Sequence, residues 1–461
     1  MLVILGFLMV AAFMFLILTK RATPVVALIL VPVIFGLFAG AGLGIGDMIT
    51  DGIKSLAPTA ALLFFAIIFF GIMIDVGLFD PLVRGILRLV RNDPMKLVVG
   101  TAVLAMVVSL DGDGSTTFII VTSALLPLYL KLGVSPVILT VVAGLANGTM
   151  NIIPWGGPTV RAASALGISP SEVFVPMVPS LIAGLVIVLL FSIHLGLMER
   201  RRLGALVFDQ EMVSVGGGGD TGRPARRTGG GGGAGGDSDG GAGQFIDGLD
   251  PQRDTLRPKL LWFNAALTVV LLVVLVMDIL PIPVLFMIAA SIALTVNFPK
   301  VKEQGEAIAR HSASIVSVVA MVLAAAVLTG VFSGTGMVEA MAEWLLGVIP
   351  SSMGPFLAVI TGVLSIPLTF FMTNDAFYFG ILPVLTETAA QYGIEPVEMA
   401  RASITGQPVH LQSPLVPAIL LLVTLAGVSL ADHHKKVLWR ATVVSLVMLA
   451  VGVLLGQIPM G

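Results

Sequence analysis

The chain of 461 residues is 57% hydrophobic and only 11% charged, with a formal net charge of −2 and a mean hydropathy of +1.04. Soluble chains carry roughly 25% charged residues, so no water-soluble fold could hide this much apolar surface, and long apolar runs separated by short polar breaks belong in a bilayer. The absence of cysteine excludes disulfides, thiolate metal sites and a cysteine nucleophile, and no nucleic-acid partner is expected.

In chain order, residues 1–202 read as a first transmembrane repeat. Its spans fall at 2–18, 24–44, 57–78, 136–168 and 176–198. The first run has no basic residue before it and no small-residue cleavage site, and Lys20 and Arg21 follow it. It is therefore read as a spanning helix with its amino end outside, not as a signal peptide. The pieces at 96–110 and 116–131 look like helical arms joined at a polar tip, a re-entrant hairpin. Residues 203–258 are glycine-rich, as in GGGGDTGRPARRTGGGGGAGGDSDGG. Such a stretch cannot build a core and is expected to be a cytoplasmic tether. Residues 259–461 form a second repeat, with spans at 259–279, 283–297, 312–333, 396–431 and 437–457 and a hairpin at 355–372 and 376–391.

The two stretches repeat one another at an offset of 259 or 260 residues. Gly71 answers to Gly330, Pro136 to Pro396, Asn147 to Gln407 and Pro154 to Pro414. Five spans is an odd number, which forces the second copy to begin on the opposite side and gives inverted topology. The basic residues test this assignment, because cytoplasmic loops collect Lys and Arg. Of 25 basic residues only Lys54, Arg161 and Arg401 fall elsewhere. The expected molecule is an all-α, multi-pass protein of the cell membrane. It has two inverted-topology repeats of five spanning helices, one re-entrant hairpin and one broken helix per repeat, both termini outside and the linker cytoplasmic.

Four stretches interrupt apolar helices with residues that hydrocarbon rejects: SLDGDGSTT from Ser109, NIIPWGGPT from Asn151, MTNDAFYFG from Met372 and GQPVHLQSP from Gly406. Unwound backbone at membrane depth is tolerated where protein buries it or a watery cavity receives it, and helix ends facing such a cavity offer amides to anions and carbonyls to cations. The four breaks, paired by the repeat, are expected to converge on one binding site near the midplane, which suggests a carrier. Asp111, Asp113 and Asp375 sit at the hairpin tips as candidates for proton or cation coupling, with Asp113 and Asp375 also candidate metal contacts. Ser115, Thr116, Thr373 and Asn374 add small oxygen and amide groups. Asn147, Asn151, Gly156, Gly157, Thr159, Gln407, His410 and Ser413 complete the expected binding set. Arg161 follows Pro158 and Thr159 in the first turn of a half-helix, where a cation opposes the dipole. Its repeat counterpart is Leu421, so the fold does not require a charge there, and Arg161 is read as an anion contact. Asp75 and Glu387 are placed near an interface, and His433 and His434, beside Lys435, at a solvated cytoplasmic end.

At these breaks SLDGDGSTT, NIIPWGGPTVRAASALG and TNDAFYFGILPVL resemble the citrate–metal:proton symporters of the ion transporter superfamily, from the first helix to the last with only the linker outside the likeness. The resemblance implies a homodimeric carrier that imports citrate chelated to a divalent cation together with protons, with no resident cofactor. A dicarboxylate, gluconate, or sodium exchanged for protons stands as an alternative cargo on the same scaffold. An intramembrane aspartyl protease is the rival from another class, disfavoured because the chain reads Leu-Asp-Gly-Asp from Leu110 and not Gly-x-Gly-Asp.

Overall fold

The computed structural model describes residues 1–19, 21–90, 93–112, 114–216, 253–277 and 279–460, all of whose regular structure is helical. Asp113 and positions 217–252 of the linker lie outside the described residues. The first half contains α1 (Leu2–Leu18), α2 (Pro24–Phe38), α3 (Ile45–Asp75), α4 (Asp80–Val90), α5 (Pro94–Val108), α6 (Gly114–Lys131), α7 (Pro136–Met150), α8 (Gly157–Leu166), α9 (Pro170–Phe174) and α10 (Val178–Gly216). The second contains α11 (Leu261–Val276), α12 (Ile282–Asn297), α13 (Val301–Arg310), α14 (Ser312–Gly334), α15 (Met337–Val348), α16 (Leu357–Phe371), a π-turn (Ala376–Ile381), α17 (Leu382–Ala390), α18 (Pro396–Ser403), α19 (Gln407–His410), α20 (Pro417–Leu425) and α21 (Leu430–Leu454). Among the described residues eight helical stretches are long and apolar enough to cross a membrane, so the chain is a multi-pass membrane protein. Large apolar side chains such as Phe38, Leu190 and Val269 face outward, as lipid contact demands.

The sequence places most element boundaries by their proline and glycine punctuation. Pro24, Pro94, Pro136, Pro396 and Pro417 each stand in the first turn of a helix, where a missing N–H costs nothing. Four boundaries differ most from expectation: α2 stops at Phe38, short of 44, α10 runs past 198 to Gly216 and so into the expected linker, and two helices start early. Helix α3 starts at Ile45, well before the polar positions Asp51 and Lys54 give way to apolar ones. It continues through them with Gly52 packed against another helix, while the exposed Asp51 and Lys54 pair one turn apart at 2.9 Å. Helix α21 starts at Leu430 under a Ser429 cap that accepts from the Asp432 amide, so the His433–Lys436 stretch is helical.

Three helices pack antiparallel against the helices to which the repeat relates them. Along α3 and α14, Met48 meets Gly330 and Gly334, Gly52 meets Ala326 and Gly330, and Gly71 meets His311. A Cβ on Gly52 would collide with the Ala326 carbonyl, and one on Gly330 with that of Met48, so the two backbones touch where both lack side chains. Along α7 and the α18–α19 segment, Gly144 meets Gln412, Gly148 meets Pro408, and Asn151 meets Gln407. Along α10 and α21, Gly184 meets Met448, and Phe191 lies edge-on to Trp439 at 5.3 Å.

The C-terminal end of α3 is tied down by the end of the linker and by the second half of the chain. Arg253, where the described structure resumes after the linker, donates to the Asp75 and Ile74 carbonyls at 2.9 and 3.2 Å and to Asp80 at 3.1 Å. Arg310 reaches the Asp75 carboxylate at 3.0 Å and His311 approaches it at 3.2 Å. Asp75 is thus a buried anchor between α3, α13 and α14, with cations supplied where the last carbonyls of α3 favour them.

Candidate functional site

Each half builds one helical hairpin and clamps its tip with one amide. In the first, α5 passes through a short 3₁₀ turn (Ser109–Asp111) to Gly112, which takes φ +80°. Only glycine turns there cheaply, and a Cβ would also press on the Trp155 indole at 2.9 Å. The arms are stitched by Thr101 and Tyr129 hydroxyls 2.8 Å apart. Asn147 of α7 donates to Ser109 Oγ at 2.9 Å and lies 3.5 Å from Thr117 Oγ1, and Trp155 Nε1 donates to the Leu110 carbonyl at 2.7 Å. Stacking of Trp155 on Phe70, with Phe286 edge-on, holds the indole in place. In the second hairpin Thr373 Oγ1 caps the turn by accepting from the Ala376 amide at 3.2 Å. Gln407 exchanges hydrogen bonds with the Asn374 amide at 3.3 and 3.5 Å and donates to Tyr378 Oη at 2.9 Å. Asn147 and Gln407 are the amides that the repeat pairs, and each does the same job for its own hairpin.

The two arrangements meet. Asn151, at the end of α7, donates to Gln407 Oε1 across the halves at 3.5 Å. Arg161 of α8 holds Asp375 of the second hairpin tip at 2.5 Å. Gly114, opening α6, lies against Asn147 and against Ala418 of α20. The first broken helix is itself bridged where it unwinds: Thr159 Oγ1 donates to the Ile152 carbonyl at 2.7 Å, and Gly156 sits so close to the Asn151 carbonyl that no Cβ fits. Asn151, Arg161, Thr373 and Asn374 are half-buried, whereas Asp375, Thr159 and Gln407 are buried. The cluster is thus partly accessible and partly buried.

Asn147, Asn151, Gly156, Thr159, Arg161, Asn374, Asp375 and Gln407 therefore come together in one cluster, with Thr373 shaping its edge and Gly157 directly beneath the Arg161 guanidinium. Asp111 closes the first tip, and Ser115 and Thr116 occupy the first turn of α6, Thr116 buried and Ser115 half-buried. Asp113 is outside the described residues. His410 and Ser413 serve the second broken helix differently. His410 Nδ1 donates to the Thr369 carbonyl at 2.5 Å and Ser413 Oγ to that of Phe370 at 2.6 Å, so both fasten the break to the inner end of α16.

Two sequence readings need correction or addition. His433 is fully buried, not solvated: it lies 3.0 Å from Gln412 Oε1 and 3.1 Å from Thr140 Oγ1, while His434 meets the Gln412 carbonyl at 2.7 Å. The cause is helical phase, since His433, Val437, Arg440 and Val444 share the inner face while Lys435 is turned outward. Tyr378 and Trp155, both inside the interrupted stretches, also belong to the tips although the sequence reading does not single them out. A phenol among phenylalanines, or an indole beside Gly-Gly, signals a buried polar tip needing a partner.

A family described as citrate transporter matches residues 13–406. The chain belongs to that family. Over 99% of its length it is 47% identical to a citrate transporter of Bacillus subtilis (strain 168), covering 100% of that protein. It is also 47% identical to the Mg(2+)/citrate complex secondary transporter of the same organism, with 99% of both chains covered. Among solved structures, the Alcanivorax borkumensis YdaH transporter, described as having an unusual topology, superposes with a TM-score of 0.56 at 13% identity, covering 90% of this chain and 88% of that one. That likeness concerns the fold alone. The family is one of transporters and not of enzymes, so the protease reading falls away.

Proposed function

We propose that this protein is a secondary transporter that carries citrate complexed with a divalent metal ion, Mg²⁺ being the first candidate, coupled to protons, through two inverted repeats whose hairpin tips and broken helices form the binding site. The relatives' names support the cargo. The antiparallel packing of three pairs of repeat-related helices supports the inversion, because a twofold axis that leaves such pairs antiparallel lies in the membrane plane.

The Arg161–Asp375 pair at 2.5 Å carries the mechanistic reading. A citrate trianion with one divalent cation bears a single negative charge, which suits a lone guanidinium among neutral amides and hydroxyls. When a cargo carboxylate takes Arg161, Asp375 loses its counter-charge in a poorly hydrated setting, and a cation must neutralise it. A proton does this, or the metal that the cargo brings. Binding of anion and cation are thereby linked, and neither is favourable alone. Asn151, Asn374 and Gln407 hold the surrounding geometry, and opening of the halves breaks the weak Asn151–Gln407 contact between them.

The test is uptake of labelled citrate into proteoliposomes. Citrate should accumulate with Mg²⁺ present and an inward proton gradient, and uptake should fall to background with a chelator. Uptake undiminished by the chelator would refute the metal-complex cargo, and accumulation indifferent to the proton gradient would remove the coupling.

A further inference from the structure

A cavity of about 450 Å³ lies well away from the Arg161–Asp375 pair, between the start of α7, the middle of α10 and the first half of α21. Helix α21 turns one face to it, with Asp432, Lys435, Lys436, Trp439 and Arg440 spaced as successive helical turns require. Arg440 is only 6% exposed. Its guanidinium stands 4.3 Å from the Trp439 ring centre and donates through Nη1 to the Lys436 carbonyl. Its Nε is buried and has no hydrogen-bond partner. The carboxylates that line the same cavity are engaged elsewhere. Glu199 accepts from Arg202 Nη2 at 2.6 Å and from the Ser135 amide at 3.1 Å, and Asp432 accepts from Ser429 Oγ at 2.7 Å.

A buried guanidinium with an unpartnered donor, flanked by Lys435 and Lys436, asks for an anion. The rest of the wall says which kind. Val137, Leu195, Met198 and Trp439 are apolar, and Met198 and Trp439 are about half exposed. From there outward-facing Leu190, Val186 and Ile182 on α10 and Val443 and Leu446 on α21 continue as an apolar strip. A small free anion gains nothing from that strip, whereas acyl chains lie along it while their phosphate reaches the cations. We infer that this cavity binds the phosphodiester headgroup of an anionic phospholipid, with Arg440 as its central contact and Lys435 and Lys436 at its mouth. The tryptophan at the rim suits the boundary between headgroup and hydrocarbon.

The test uses the full chain, delipidated in detergent and titrated with phosphatidylglycerol, phosphatidylcholine, inorganic phosphate and Mg²⁺–citrate, with native mass spectrometry and the unfolding midpoint as readouts. Phosphatidylglycerol should be retained and raise the midpoint, and phosphatidylcholine should be at least tenfold weaker. Arg440→Gln should abolish the preference. The surface double variant Lys435→Gln/Lys436→Gln, which leaves the buried packing intact, should weaken phosphatidylglycerol by about fivefold for each cation removed. Equal retention of phosphatidylcholine, or a preference that survives both variants, overturns the proposal. Inorganic phosphate displacing the lipid at comparable concentration would make this a free-anion site, and displacement by Mg²⁺–citrate would make it a cargo vestibule. Either result overturns the lipid assignment while leaving the transport reading untouched.

Discussion

Arg161 sits one turn inside α8, where its charge runs against the helix dipole, and Asp375, 214 residues along the chain, compensates it at 2.5 Å. The cation was legible in the sequence because a charge in an apolar half-helix with a leucine at its repeat position has no structural excuse. Its partner was not, because nothing in one repeat says which side chain of the other will face it. The pair is 26% and 9% exposed at the two side chains, so its loss should cost somewhat less than the ~3–5 kcal/mol of breaking a fully buried pair. Arg161→Gln and Asp375→Asn should each cost about 2 kcal/mol of stability in detergent on that scaling, read as a lower unfolding midpoint. The combined neutral variant should regain most of that loss while citrate uptake stays abolished. Recovered uptake in the double variant would show that the pair only holds the fold. His433 illustrates the opposite failure. Beside His434, Lys435 and Lys436 it looks solvated in one dimension, yet adjacent residues on a helix point about 100° apart, and the burial of His433 follows from which face α10 and α7 cover.

At the scale of elements, the hairpins and broken helices were readable because glycine and proline mark them, while the antiparallel contact of α3 with α14 was not. Gly52 and Gly330 look like ordinary helix glycines until the two backbones are seen to meet there. Close approach through small residues is how membrane helices gain packing that lipid cannot supply. Gly46, on the same helix, has open space where its Cβ would be. Ala at Gly46 should therefore be neutral or stabilise α3 by up to ~1 kcal/mol. Leu at Gly52 or Gly330 should destabilise by more than the ~1–3 kcal/mol of ordinary overpacking, because backbone and not a movable side chain is in the way. Unfolding midpoints of the three variants check the contrast. Similar midpoints for all of them would mean that α3 and α14 are free to separate. The same contact explains why α3 outruns its apolar stretch: the polar turn around Asp51 is held by a neighbour, a tertiary effect invisible to hydropathy.

For the whole molecule, the duplication was read from four matches at a nearly constant offset, and its orientation from the placement of basic residues. The chain has no cysteine, so any introduced thiol is the sole reporter of its own position. Asn92, after α4, and Ser352, after α15, are 260 residues apart in the sequence, the offset at which the two stretches match. The segment before Asn92 is basic, with Arg84 and Arg88, while the one before Ser352 is acidic, with Glu339 and Glu343. Asn92→Cys should react with a membrane-impermeant maleimide only from the cytoplasmic face, and Ser352→Cys only from the outside, in intact cells against inverted vesicles. Labelling of both thiols from one side would mean parallel copies. The antiparallel pairs would then lack a common axis, and the shared site of Asn151, Arg161, Asp375 and Gln407 would have to open by some motion other than an exchange between two equivalent halves.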